Sequence, residues 1–114
     1  MANASDRSQV RDKTIQEKSE RKTELEEIRF LMSQPVGRAL AARILNEVTG
    51  SDGPLPFSPN AMQLARNAGV HHVGTWLLAE IREACPELEP KMRAEVRARE
   101  NRANVQQEFT DDNE

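Results

Sequence analysis

The residues of this chain that could do chemistry gather in one stretch. Phe57 to Cys85 reads FSPNAMQLARNAGVHHVGTWLLAEIREAC and holds the only two histidines (His71, His72), the only cysteine (Cys85) and the only tryptophan (Trp76). The adjacent histidines invite a metal or acid–base reading. Neighbours on a helix point about 100° apart, so the two rings do not converge on one ion. Zinc-binding helices space their ligands at i and i+4. From His72 that position is Trp76, which is no ligand, and from His71 it is Thr75, a weak one. Cys85 sits between Glu83 and Glu87, which raise a thiol pKa rather than lower it. It lies thirteen residues beyond His72, roughly 20 Å along a helix, too far for a Cys–His pair. Glu80, inside WLLAEI, is the carboxylate nearest an apolar run, and a boundary position accounts for it. VGRAL and NAGVHHVG lack the strand and the glycine spacing of a phosphate loop. No catalytic, cofactor-binding or metal-binding residue is expected, and the chain reads as a non-enzyme.

The elements around that stretch read as helices. Residues 1–12 are polar and aperiodic, which predicts a flexible arm. From Lys13 to Ser33 strong helix formers dominate, and apart from Ile15, ten residues earlier, apolar residues appear only late, at Leu25, Ile28, Leu31 and Met32, with Phe30 beside them. A helix is expected whose first half projects and whose second half docks. Pro35 suits the first turn of a second helix. There Val36, Leu40, Ile44 and Val48 recur at i,i+4, widened by Ala41 and Leu45, and Gly50 marks a left-handed end. GSDGPLPF, residues 50–57, is a loop whose Leu55 and Phe57 are expected to plug one end of the core or to meet a partner. Ser58 and Pro59 supply an N-cap and a first helical residue, with Phe57 and Met62 as a hydrophobic staple. One long helix is expected over 59–84, unbroken at Gly69, with Ala65, Gly69, Val73, Trp76 or Leu77, and Ile81 along its buried face. Pro86 stops it. A charged helix follows from Pro90, packed by Met92 and Val96 and then frayed into an acidic tail.

The fold class is therefore all-α, a small bundle of three to four helices with a long charged N-terminal helix and a charged C-terminal one. The expected division is an arm over 1–12, a helical domain over 13–102 with its core at about 25–96, and a tail over 103–114. The core is expected to hold Leu40, Ile44, Val73, Trp76, Leu77 and Ile81. Arg38, Arg43 and Arg66 interrupt the apolar faces and are expected at the rim, pairing with Glu47 or Glu80.

Composition narrows the function classes. The chain has 114 residues, 37% hydrophobic and 31% charged, with a mean hydropathy of −0.75. A core of about 70 residues gives only marginal stability, so assembly with a partner is a physical expectation. Net charge is −3. Residues 1–34 carry seven basic and seven acidic side chains, and residues 86–114 carry five and eight. Without a basic block, nucleic acid is the less favoured partner. One cysteine excludes an internal disulfide and fits a reducing compartment. MANASDRSQVRDK has no apolar region of a signal peptide, and no run approaches a membrane span.

The pattern RFLMSQPVGRALAARILNEVTG followed by FSPNAMQLARNAGVHHVGTWLLAEIREACPE resembles a family of small bacteriophage proteins encoded in podovirus structural-gene clusters and known from a Bordetella phage. The likeness covers roughly residues 29–92. It rests on the apolar end of the first helix, on Gly37-Arg38 opening the second, on the helix end at Gly50 and on Phe57-Ser58. A run of Arg66, Asn67, Val73, Gly74, Leu77 and Leu78 completes it. Ala-Arg-Asn-Ala-Gly stands where the family tends to Gly-Arg-Arg-Asn, one positive charge fewer, which weakens a nucleic-acid role. The resemblance implies a virion-associated or head–tail protein and no catalytic residues. The expected function is that of a structural component docking by its helices onto a portal, connector or internal core, as a homo-oligomer or in a multi-copy assembly. It would reside in the virion, and in host cytoplasm during assembly. A cytoplasmic regulatory or nucleic-acid-associated protein is the alternative. Arg21, Lys22, Arg29, Arg38, Leu55, Phe57 and Arg66 are the candidate partner-binding residues.

Overall fold

The computed structural model describes residues 4–51 and 53–112 and is a helical bundle of four α-helices. Helix α1 spans Ala4–Met32, α2 Pro35–Arg43, α3 Ala61–Ala84 and α4 Leu88–Asp112. A π-helical turn, Ile44–Val48, extends α2. Residues 4–12, read as an arm, continue α1, and residues 103–112, read as a tail, continue α4. Both stretches are exposed where their side chains are described. They are helical as continuations of helices nucleated further in, where each added residue gains one backbone bond without a new nucleus. Residues 1–3 of the expected arm and 113–114 of the expected tail lie outside the described residues.

The breaks fall where local chemistry demands them. Pro35 occupies the first turn of α2. At the far end Thr49 N–H and Oγ1 both donate to the Ile44 carbonyl at 2.9 Å, and Gly50 takes φ +60°, the left-handed conformation glycine adopts without penalty. The cap of α3 is Asn60 rather than Ser58, its side chain accepting from Gln63 N–H at 3.0 Å. Ser58 Oγ serves one step earlier, accepting from Asn60 N–H at 3.2 Å. With the start shifted by two residues the expected staple does not form, and both Phe57 and Met62 are exposed. Helix α3 runs unbroken through Gly69.

The core is small: Met32, Ala41, Ala42, Leu45, Leu77, Ile81, Ala84, Cys85 and Met92, with Leu25, Ile28, Ile44, Leu78, Leu88 and Val96 packed around it. Leu77 and Ile81 are buried as expected, and Ile44 is partly buried. Leu40, Val73 and Trp76 are not core residues and are exposed. On α2 the buried face is Gly37, Arg38, Ala41 and Ala42, one residue, or about 100°, from the Val36–Leu40 stripe. Small residues win that face because α2 lies very close to the end of α1. A Cβ built on Gly37 would stand 1.8 Å from the Leu31 carbonyl oxygen. The large side chains of the other stripe cannot enter such a gap.

The molecule is thin and long. It measures 82 × 40 × 15 Å with a radius of gyration of 21.0 Å, against about 13 Å for a compact chain of this length. Its accessible surface is 8818 Å², where a compact monomer of this mass exposes about 6,300 Å².

Candidate interaction site

Three arginines hold the first half of the chain to the second. Arg21 on α1 donates to both oxygens of the buried Glu80 at 2.7 and 2.9 Å, to Glu83 at 2.5 Å and to Glu24 at 3.0 Å. Hydrogen bonds to Glu80, then Glu83 and Glu24, push its guanidinium further above the ordinary arginine value. Arg29 donates to the Ala84 carbonyl, one of the orphan acceptors at the end of α3, and pairs with Glu87 at 3.3 Å. Arg38 is 4% exposed. It is neither at the rim nor paired with Glu47 or Glu80. Its Nε donates to Glu95 Oε1 at 2.5 Å, its Nη2 to Glu95 Oε2 at 3.4 Å and its Nη1 to the Met32 carbonyl at 2.9 Å. The planar fork thus grips a carboxylate on α4 and caps the end of α1 together. A sequence pattern shows such an arginine as an interruption of an apolar face. Only its depth shows that it holds two elements together.

The Arg38 fork holds the Glu95 carboxyl below the ordinary carboxylate range. A carboxylate depressed in the folded state stabilises the fold above its unfolded value of about 4.3 and loses that contribution as pH falls through the lower folded value. Glu95→Gln is therefore expected to flatten the acid limb of stability. Thermal melts of both proteins from neutral pH to about pH 3 check this, and identical slopes would refute it.

The candidate partner-binding residues divide accordingly. Arg21, Arg29 and Arg38 are engaged within the chain. Lys22, Leu55, Phe57 and Arg66 are exposed. Leu55 and Phe57 do not plug the core, because the loop that carries them lies along the flank of α3. Ser51 Oγ donates to the His71 carbonyl at 2.9 Å, His71 Nε2 donates to the Gly53 carbonyl at 3.2 Å, and Asn67 Nδ2 donates to the Pro56 carbonyl at 3.3 Å. A Cβ on Gly74 would stand 1.8 Å from Ser51 Oγ, so the loop closes on α3 at a glycine.

That placement selects the face of α3. Residues 64, 67, 71, 74, 78, 81 and 85 alternate by three and four and are all buried or half-buried. In the first half of the helix they are Leu64, Asn67, His71 and Gly74, polar or small except for the first. The more apolar stripe beside it, Met62, Ala65, Gly69, Val73 and Trp76, is left outside. Met62 is 78% exposed, Val73 54% and Trp76 54%, with Phe57 of the loop at 84%. Trp76, expected as a core anchor, is instead a large amphipathic side chain at the surface, the residue type that anchors protein interfaces.

His71 is half-buried in the loop contact and His72 is exposed. Among the described residues no three potential ligands gather to hold a metal. Cys85 is fully buried, and burial, then Glu87, push its thiol up, partly offset by Arg29. Among the described residues no helix is long and apolar enough to cross a membrane. No protein-family model, curated protein or solved structure matches this chain.

Proposed function

We propose that this chain is a non-enzymatic structural component of a bacteriophage virion, docking by its helices onto a larger head, connector or internal-core assembly. One observation carries the reading: a thin fold with a small core that leaves large apolar side chains exposed on α1, α2, α3 and α4. They include Val10, Ile15, Val36, Val48, Trp76, Val105 and Phe109. Along α3 the exposed Met62, Val73 and Trp76 share one stripe, apolar surface of the kind that a partner covers. The likeness of residues 29–92 to a podovirus structural-gene family supports the virion as the setting. Mass spectrometry of purified particles is expected to find the chain in many copies alongside portal and capsid proteins. Its absence from infectious particles would overturn the proposal.

The alternative, a cytoplasmic regulatory or nucleic-acid-associated protein, would draw on the basic residues of α1. Arg21, Arg29 and Arg38 are committed to carboxylates and helix ends within the chain, which takes them from any phosphate backbone. The virion reading is therefore preferred.

A further inference from the structure

We infer that the exposed half of α3 is an isologous dimer contact, in which two copies of this chain cross antiparallel at Gly69. The inference stands whether or not the chain is a virion protein, since it rests on α3 alone.

The first observation is a glycine that the fold does not use. Gly37 lies against the Leu31 carbonyl and Gly74 against Ser51 and Thr49, so each permits a contact within the chain. Gly69 has nothing within 4 Å of a built Cβ, yet it sits in the middle of a 24-residue helix, where glycine is the poorest helix former after proline. It lies on the apolar, uncovered stripe and not on the stripe that the loop covers. A bare patch of backbone in the centre of an exposed apolar face admits a second helix at close range.

The second observation is the symmetry of the stripe. Its members are Met62, Ala65, Gly69, Val73 and Trp76, spaced three, four, four and three. An interface around a two-fold axis must be self-complementary, residue i meeting j while j meets i. In an antiparallel pair centred on Gly69, Met62 of one copy lies opposite Trp76 of the other, and Ala65 opposite Val73. Each large side chain then meets a large one at the ends of the contact, and the two glycines meet at its waist. Thioether against indole is a favourable pairing.

The third is area. The chain exposes 8818 Å², about 2,500 Å² more than a compact monomer of its mass. A stable dimer buries about 600–1,000 Å² per partner; since much of the excess lies on the projecting ends of α1 and α4, the contact must draw in the exposed neighbours of the stripe, Phe57 among them. Beyond Trp76 the same side of α3 is already occupied, since Glu80 and Glu83 are gripped by Arg21 of α1. The free stripe therefore ends where α1 begins to cover it.

Sedimentation of the purified full-length chain is expected to give twice 12.9 kDa. Trp76, the only tryptophan, is expected to shift its emission to the red on dilution as the pair separates. Gly69→Leu is expected to keep its helical circular dichroism, because a Cβ at this position meets nothing within 4 Å in one copy and leucine is a better helix former than glycine. It is expected to lose at least about tenfold in dimer affinity through the crowded waist. Gly69→Cys is expected to oxidise to a disulfide-linked pair, since position 69 faces itself across the axis, while Ala98→Cys on α4 does not. A wild-type chain that stays monomeric at its highest soluble concentration would overturn the inference. So would a Gly69→Leu variant that pairs as tightly as wild type.

Discussion

Replacing Gly37 with alanine is expected to destabilise the fold by about 2–3 kcal/mol, at the upper end of the range for overpacked sites. The change adds one methyl group and improves intrinsic helix propensity by about 1 kcal/mol, so an isolated helix would gain from it. Here the methyl would stand 1.8 Å from the Leu31 carbonyl oxygen and 2.7 Å from its carbon. Backbone cannot step aside as a side-chain tip can, so α2 must lift from the end of α1. That lift loosens Arg38 from the Met32 carbonyl and opens the Met32–Ala41–Ala42 contact. A fall in melting temperature of about 10 °C or more is expected for a domain this small. The same substitution at Gly69, where a Cβ meets nothing, is expected to raise the melting temperature of the dilute protein. Thermal denaturation of the two variants side by side checks the pair, and a shared sign would contradict the contrast between the two glycines.

The second large effect concerns the Arg38–Glu95 pair, whose two halves are not equivalent. Arg38's side chain is 5% exposed and that of Glu95 36%. Glu95→Ala strands a buried guanidinium with only the Met32 carbonyl as acceptor. Removing one partner of a buried pair costs about 3–5 kcal/mol, which the partial exposure of Glu95 reduces to about 2–4. Arg38→Met is expected to cost less, about 1–2 kcal/mol, because the flexible thioether fills the space and Glu95 turns out to water. The double variant is expected to be no worse than Glu95→Ala alone, since the stranded charge is gone. Urea denaturation of the three variants decides this. A larger loss for Arg38→Met than for Glu95→Ala would mean that the packed guanidinium stem, not the stranded charge, dominates.

The order and kind of the elements were legible in the residues because they depend on local chemistry. Pro35, Gly50 and Pro86 punctuate the chain at the places where helices begin and end, and Leu77, Ile81 and Met92 are inside as their pattern predicts. The facing of the helices was not legible. Periodicity names the most apolar face, and on α2 and α3 a neighbouring face is the buried one. On α2, Gly37, Ala41 and Ala42 allow an approach that Val36 and Leu40 would prevent. On α3, the turn and loop after α2 satisfy Asn67, His71 and the His71 carbonyl, and close on Gly74. Those contacts join residues eleven to twenty-five positions apart along a loop, and no window on one helix contains them. Arg38 escaped for a related reason: its acceptor, Glu95, lies 57 residues away.

The arginine clamps have one more consequence. Every one of them runs from the hairpin of α1 and α2 to the hairpin of α3 and α4, and the donors all lie on the first while the acceptors across the gap all lie on the second. Among the described residues, the loop between the two hairpins bonds to the flank of α3 through Ser51, Gly53 and Pro56 and back to the end of the first hairpin through the Ser51 N–H and the Leu45 carbonyl. The molecule is thus built as two complementary fragments joined in series, a cationic lock and an anionic key on a single strand. A chain nicked in that loop would keep every clamp between its pieces. Two intact chains could also trade hairpins without forming a single contact that the monomer lacks.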